Sequence, residues 1–578
     1  MSGHGVEWLI RDTVPGEVFT PERFTDEHRL IEQTATEFVA NEVNPALPEL
    51  DKKNWDVARR LIGRAGALGL VGTDTPEEYG GVGLDKAAAV IVCDAIGDAA
   101  SFSTTFGAQS GLAIIPILCF GTDAQKKKYL PRITSGEMLG AYCLSESGSG
   151  SDALAARTKA TRLPDGNWSL TGEKLWITGG GFADVFIVFA KVDGDLFSAF
   201  IVERAFPGVS TGKEEHKMGL HGSSTTAVIL QDARVPADNL LGEVGKGHKI
   251  AFNVLNYGRF KLGAMCTGGA RAALADAAKY ATTRRQFGRP IAGFGAIRQK
   301  LADMAIRLYA AESMLIRTAG LLDDRLHAGS DGSAMAAALE EFAIEASLVK
   351  IACSEMIDFV VDENVQIHGG NGYVADYAAE RRYRDARVNR IFEGTNEINR
   401  LLVPAMIIKR GHKGDLPLAH AMEEARRPPS PEASADKAGS VPPSLRRAAL
   451  VALGLAVDTW GEKLEQEQEA LMALSDLLVA AFAADTAATR AAQARAAGHP
   501  LAALHADAAA TILAEAAMHA RTVVRPLLLS MLEGDALAAA LSQVEHLLAL
   551  TDTNLVAAKR RIAEAVVSRR AYPFGGRS

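Results

Sequence analysis

The texture of this chain changes along its length, and the order of those textures limits the fold more than any one motif does. Residues 25 to about 135 read as helical, and 29–39 carries apolar groups at helical spacing. Near Met138 the pattern shortens. From there to about Asp238 come β-rich runs at 168–172, 174–178, 185–190, 198–202 and 227–230, parted by turns such as Pro164-Asp165-Gly166-Asn167. That spacing predicts a compact antiparallel sandwich or barrel. Long helical patterns return from Gly247 to about Lys409. Pro428-Pro429-Ser430-Pro431 and Pro442-Pro443 cannot hold a helix, so 411–444 reads as a linker. An Ala/Leu-rich helical region follows from Leu445 and reads as a small bundle. The expected fold is mainly α with a central β domain. Its parts are a helical domain over 25–137, a β domain over 138–246, a helical bundle over 247–410, the linker, and a C-terminal helical domain over 445–578.

Charge and cysteine usage narrow the function classes. The 578 residues carry a formal net charge of −8 with no Lys/Arg stripe, which argues against nucleic-acid binding. Cys93, Cys119, Cys143, Cys266 and Cys353 are widely scattered, with no Cys-x-x-Cys pair and no Cys/His cluster. No metal site is expected, and the odd count suits reduced thiols. The N-terminus has the pattern of neither a secretory signal nor a transit peptide. The longest purely apolar run, 448–457, is too short to span a bilayer. The expected address is the cytoplasm.

One carboxylate stands out. In Arg390-Ile391-Phe392-Glu393-Gly394-Thr395-Asn396-Glu397, Glu393 lies between an aromatic residue and a Gly-Thr step. A carboxylate beside an apolar ring is partly desolvated, which raises its pKa toward the range of a useful general base. The plainer reading is a helix start, because Gly394-Thr395-Asn396-Glu397 also has a capping pattern. Other segments keep it company: Tyr142-Cys143-Leu144-Ser145-Glu146-Ser147-Gly148-Ser149-Gly150-Ser151, Leu175-Trp176-Ile177-Thr178, Asn256-Tyr257-Gly258-Arg259, Arg284-Arg285-Gln286-Phe287-Gly288, and Gln366-Ile367-His368-Gly369-Gly370. Alone, the Ser/Gly stretch would be a turn, Trp176 a core residue on a strand, and Arg284 part of a solvated helix face.

Together, in this order, these segments make the chain resemble the acyl-CoA dehydrogenases over residues 25 to 410. Its length and C-terminal region resemble the very-long-chain branch. The resemblance implies the acyl-CoA dehydrogenase fold: an N-terminal α domain, a β-barrel or sandwich domain and a four-helix bundle, here with an extra helical domain. It implies FAD, held by Tyr142, Leu144, Ser145, Gly150, Ser151, Trp176 and Thr178, with Thr395 and Glu397. Trp176 is flat enough to lie against an isoalloxazine ring, with Thr178 donating to a ring heteroatom. Arg284, Gln286, Phe287, Gln366 and Gly370 are implied to reach the FAD of a neighbouring subunit, where an arginine can pair with a diphosphate. Ser151, Asn256, Arg259, Phe392 and Gly394 are implied to meet the acyl-CoA. The family often has Thr where this chain has Ser145, which keeps the hydroxyl. It often has Pro where this chain has Ser147, which loses rigidity. Some branches carry the catalytic Glu at position 258. Gly258 cannot serve, and Glu393 stands at the loop position that most of the family uses.

The implied reaction is α,β-dehydrogenation of a fatty acyl-CoA to a trans-2-enoyl-CoA in fatty acid β-oxidation. Glu393 takes the α-proton, hydride passes to flavin N5, and hydrogen bonds polarise the thioester carbonyl. Electrons then pass to electron-transferring flavoprotein. Alternatives are an acyl-CoA oxidase using oxygen and a non-catalytic assembly or scaffold relative. Gly107 and Gly111 fall where the family's acyl pocket closes and leave room for a long chain. A homodimer or dimer of dimers is expected. The C-terminal domain is expected to associate with a second copy or with the inner face of the membrane. Residues 445–457 place arginines at one end of an apolar helix, which can rest in a bilayer interface; the plainer reading is that this helix is core.

Overall fold

The computed structural model describes residues 4–326, 331–427, 444–549 and 553–575. Helices of the N-terminal third, among them α1 (Lys86–Ile96), lead into an eight-stranded sheet. Its strands are β1 (Gly140–Cys143), β2 (Lys159–Arg162), β3 (Trp168–Thr178), β4 (Val185–Val192), β5 (Leu196–Glu203), β6 (Val209–Thr211), β7 (Thr225–Val235) and β8 (Leu240–Leu241). The order is β6-β7-β3-β2-β4-β5-β8, with β1 pairing β4. Most pairings are antiparallel, as the short turns dictate. Both β1 and β2 pair with β4 in parallel, which the strand spacing did not foretell.

The apolar run of β4 has a physical cause. Val185, Ile187 and Phe189 pack into the helical core, while Phe186, Val188 and Ala190 belong to a second core inside the β domain. A strand buried on both faces has no polar alternation to show. The runs 168–172 and 174–178 join as one strand, β3, broken by register shifts against β7.

The helical half follows. α2 (Gly247–Thr283) runs 37 residues and carries site residues in its first half and Arg284 just past its end. A small hairpin of β9 (Arg285–Gln286) and β10 (Arg289–Pro290) leads to α3 (Gly295–Arg325), and α4 (Ala343–His368) packs along α2. α5 (Asn396–Lys413) completes the bundle.

The expected linker is shorter than the sequence implied. α5 runs into it, and Leu418–Arg426 is helical; 428–443 lies outside the described residues. The C-terminal domain starts with α6 (Ser444–Trp460), α7 (Gln468–Ala496) and α8 (Ala502–Met531). The interfacial role expected for 445–457 is overturned. Leu445, Ala448, Ala449, Leu450, Val451, Ala452 and Leu453 are all buried, so no apolar face is left for a bilayer. Arg446 is buried too: it donates to the Trp8 carbonyl at 3.0 Å and pairs with Asp12 at 2.7 Å. Arg447 donates to the Arg427 carbonyl at 2.7 Å. Two helical stretches, Ser101–Phe120 and Gln468–Ala496, are long and apolar enough to cross a membrane, but 78% and 72% of their apolar windows are buried inside the protein.

Residues ahead of position 25, unassigned from sequence, tie this domain to the bundle. Glu345 on α4 accepts from the Val6 N–H at 2.6 Å and Trp8 Nε1 at 3.1 Å, and the Trp8 ring lies 4.7 Å from that of Phe482 on α7.

Candidate active site

A cavity of about 1590 Å³ lies where the β domain meets the helical bundle. Tyr142, Leu144, Ser145, Gly150, Ser151, Trp176, Thr178, Asn256, Arg259, Phe392, Glu393, Gly394 and Thr395 all line it. Widely separated stretches of sequence therefore meet at one surface.

Local chemistry sets up Glu393. Thr395 is the N-cap of α5, its Oγ1 accepting the Ile398 N–H at 3.2 Å. The plain capping reading is thus correct for Thr395 and leaves Glu393 free. With the helix stopped, the chain turns through left-handed backbone at Glu393 (φ 57°) and Gly394 (φ 78°). A left-handed glutamate is uncommon and is held only by its surroundings. Those surroundings are donors to the loop carbonyls. Arg259 Nε donates to Glu393 O at 3.1 Å, Lys350 Nζ to Gly394 O at 2.7 Å, and Asn399 Nδ2 to Gly394 O and Thr395 O at 2.9 Å each.

The carboxylate points at Gly258. A Cβ placed on Gly258 would stand 2.4 Å from Glu393 Oε2, so glycine leaves the carboxylate its present place. Oε2 is buried with no hydrogen-bond partner. Burial pushes the Glu393 pKa up to about 7, against the pull of Arg259 and Lys350. The Glu393 N–H donates to no acceptor among the described residues.

Trp176 departs from the core role usual for a strand tryptophan. It stands at the register shift between Lys174 and Ile177, with φ 57°, is 60% exposed, and stacks on no other ring among the described residues. A flat face is thereby presented to the cavity. The Ser/Gly loop beside it is pinned from below. Fully buried Lys174 pairs with Glu146 at 2.6 Å and donates to Leu144 O at 3.2 Å, while Glu146 accepts from Thr158 Oγ1 at 2.6 Å and the Arg157 N–H at 2.6 Å. Sequence reasoning passed over Glu146 and Lys174, although a Glu inside a Ser/Gly loop was a signal. It also missed Lys350, Asn396 and Asn399, whose roles depend on contacts between helices.

The other expected residues lie elsewhere. Arg284, Gln286, Phe287, Gln366 and Gly370 are exposed and do not line the cavity. Arg284 donates its N–H to Tyr280 O at 2.8 Å, Gln366 and Gly370 flank His368, and the Tyr280 and His368 rings stack at 4.2 Å. Phe287 is 92% exposed at a φ of 50°. Within one chain, this second face cannot contribute to the cavity that holds Glu393. Glu397 is also outside it: the residue lies in the first turn of α5 and is exposed.

Comparison with known proteins agrees with this architecture. Models of the acyl-CoA dehydrogenase N-terminal, middle and C-terminal domains match residues 25–137, 141–233 and 245–408. A further acyl-CoA dehydrogenase C-terminal domain model matches 444–546. A probable acyl-CoA dehydrogenase of Bacillus subtilis (strain 168) is 44% identical over 98% of each chain. The very long-chain specific acyl-CoA dehydrogenase of Rattus norvegicus mitochondria is 42% identical over 58% of this chain and 51% of its own. The crystal structure of an acyl-CoA dehydrogenase complexed with FAD from Bacillus anthracis superposes with a TM-score of 0.95 at 43% identity, covering 99% of this chain and 100% of that one. With four domain models matched in order and a relative aligned end to end, the chain belongs to the acyl-CoA dehydrogenase family.

Proposed function

We propose that this enzyme dehydrogenates long-chain fatty acyl-CoA between Cα and Cβ, with Glu393 as the base and FAD as the electron acceptor. The observation that carries the reading is the buried, unpaired Glu393 Oε2 at the wall of the cavity. A carboxylate oxygen with no partner among the described residues is poised for a proton from something bound there.

The cavity fits two ligands. At about 1590 Å³ it exceeds the roughly 300–1,000 Å³ usual for a single small-molecule site. Trp176 offers the planar surface a flavin ring needs, and Ser145, Gly150 and Ser151 offer small groups that allow close approach. The FAD complex of the Bacillus anthracis relative supports the same cofactor here. FAD, when bound, supplies the acceptor for the hydride that leaves Cβ.

The chain's own residues do the rest. Glu393 takes the Cα proton, and the electron pair of that C–H bond moves toward the thioester carbonyl and then into the new double bond. The free Glu393 N–H is placed to donate to the thioester oxygen as charge develops on it. Arg259 and Asn256, bonded to each other at 3.1 Å, hold the base loop from α2. The product is a trans-2-enoyl-CoA.

Chain length follows the cavity's shape. Its wall also includes Gly97, Gly107, Met265, Gly269, Ile357 and Val361. Each buried methylene contributes about 0.8 kcal/mol, so a roomy cavity walled by small and apolar residues favours long chains. Electron-transferring flavoprotein is the acceptor that the family reading supplies. The exposed Arg284, Gln286, Phe287, Gln366 and Gly370 face is proposed to complete the flavin site of a second subunit.

The test is optical. Purified protein carrying flavin should bleach when palmitoyl-CoA is added anaerobically. Bleaching by butyryl-CoA in preference to palmitoyl-CoA would overturn the long-chain reading, and no bleaching by any acyl-CoA would overturn the activity.

A further inference from the structure

Lys350 sits beneath the base loop in an arrangement that helix packing alone does not require. It is on α4 and fully buried. Its ammonium donates to Gly394 O at 2.7 Å and to Asn396 Oδ1 at 2.6 Å. Asn396 is held in turn by Ser354 Oγ at 3.0 Å and Glu355 Oε1 at 2.9 Å. No carboxylate lies within 4.0 Å of the Lys350 ammonium among the described residues. A buried lysine is rarely left without a paired anion, because desolvating the charge is costly.

The loop above it explains the exception. Two consecutive left-handed residues, Glu393 and Gly394, form the turn that points the carboxylate at Gly258. Lys350 fixes the second of these and the first residue of α5 at once. Its positive charge, lacking an ion-pair partner among the described residues, pulls on the Glu393 carboxylate.

We propose that Lys350 is a positioning residue for Glu393: it holds the left-handed turn that aims the carboxylate, and it supplies beneath that turn a positive charge that no neighbouring carboxylate neutralises. This rests on Glu393 being the base. The charged and titratable groups around the pair are few. Arg259 on α2 and Tyr142 on β1 face Glu393, and Cys266 and Arg259 on α2 and Glu355 on α4 face Lys350. Burial pushes Lys350 itself down to about 8, so its charge is present where the enzyme works near neutrality and fades above that. A lysine acting only as a helix–loop tie would leave the ionisation of Glu393 unchanged when replaced by an uncharged residue of similar length.

The experiment compares Lys350→Met, Lys350→Arg and Glu393→Gln in the full-length flavin-loaded enzyme. Two quantities are read: the acid limb of kcat against pH, and the ionisation midpoint of the Glu393 carboxyl band by isotope-edited infrared titration, assigned by its loss in E393Q. The infrared readout needs no turnover. K350M should raise both midpoints by about one pH unit, as loss of a nearby opposite charge does, and lower kcat at least tenfold with flavin content unchanged. K350R keeps the charge but not the geometry, so its midpoint should stay at the wild-type value while kcat falls. An unshifted midpoint in K350M overturns the proposal. If K350M does not fold, a shifted midpoint in K350R overturns it instead. Full turnover in E393Q would sink the base assignment itself, an outcome separate from either Lys350 result.

Discussion

At Glu393 reactivity and stability pull in opposite directions. Burial raises its pKa from the ordinary 4.5 to about 7. The folded state therefore holds the proton more tightly than the unfolded chain. No penalty exists below the unfolded pKa; it grows between about 4.5 and 7 and is complete above that, amounting to about 3 kcal/mol. Glu393→Gln should remove the penalty, so thermal unfolding at pH 8 should move up relative to wild type while the two match near pH 4. The same variant should lose activity by about 10²–10⁴-fold or more, with flavin retained. Near-normal turnover in E393Q would mean another group takes the proton. In the wild type, kcat/KM should rise with pH through an acid limb centred at about 7. Gly258→Ala tests the fit from the other side. Its Cβ would fall 2.4 Å from Oε2 and push the carboxylate aside; a misplacement of that order costs about 10²-fold in rate. Equal activity in G258A would show that the carboxylate's position against α2 is not what matters.

Among the elements, β3 and the helices lining the cavity carry the sharpest expectations. Lys174, on β3, is fully exclude from solvent and paired with Glu146 beneath the Ser/Gly loop. Removing one partner of a buried ion pair typically costs about 3–5 kcal/mol, because the other charge is left uncompensated. Glu146→Ala should lower the melting temperature and the flavin-to-protein ratio together. A variant that melts earlier with full flavin would confine the pair to a folding role. The cavity wall offers a second measurement. A side chain at Gly107 would meet Met265 Cε at 2.5 Å. Gly107→Phe should cut activity on palmitoyl-CoA by more than tenfold relative to butyryl-CoA; an unchanged ratio would place the acyl chain elsewhere.

Across the whole molecule, buried charges tie together segments that are distant in sequence. Arg490 on α7 has no exposed side-chain surface and pairs with Glu22 at 2.6 Å and Glu312 at 2.8 Å. Tyr572 near the C-terminus donates to Glu312 at 2.8 Å, and the Arg271 guanidinium lies 4.8 Å from the Tyr572 ring. The chain before residue 25, the bundle and the C-terminal domain thus share one charge network. Arg490→Met should destabilise by about 3–5 kcal/mol and lower the melting temperature of the bundle along with that of the last domain. Separate transitions, with the bundle's unchanged, would show that the network does not couple them.

The sequence by itself determined the order of helical and β regions, because hydrophobic period and turn residues are local properties. It also marked Glu393 and the residues that line one cavity with it, since Glu393, Trp176 and the Ser/Gly loop are unusual where they stand. The parallel pairing of β1 and β2 with β4 and the burial of α6 were not legible, because both depend on partners far along the chain. An apolar helix with arginines at one end reads alike whether it faces lipid or protein. Only the tertiary structure decided that Arg446 holds the N-terminal segment. The same limit separated Arg284 from Glu393. Motif order groups the two sets of residues together, but only folding shows that one set lines this chain's cavity and the other faces outward. Lys350 was invisible for the same reason: a lysine in an amphipathic helix is ordinary until the loop it supports folds over it.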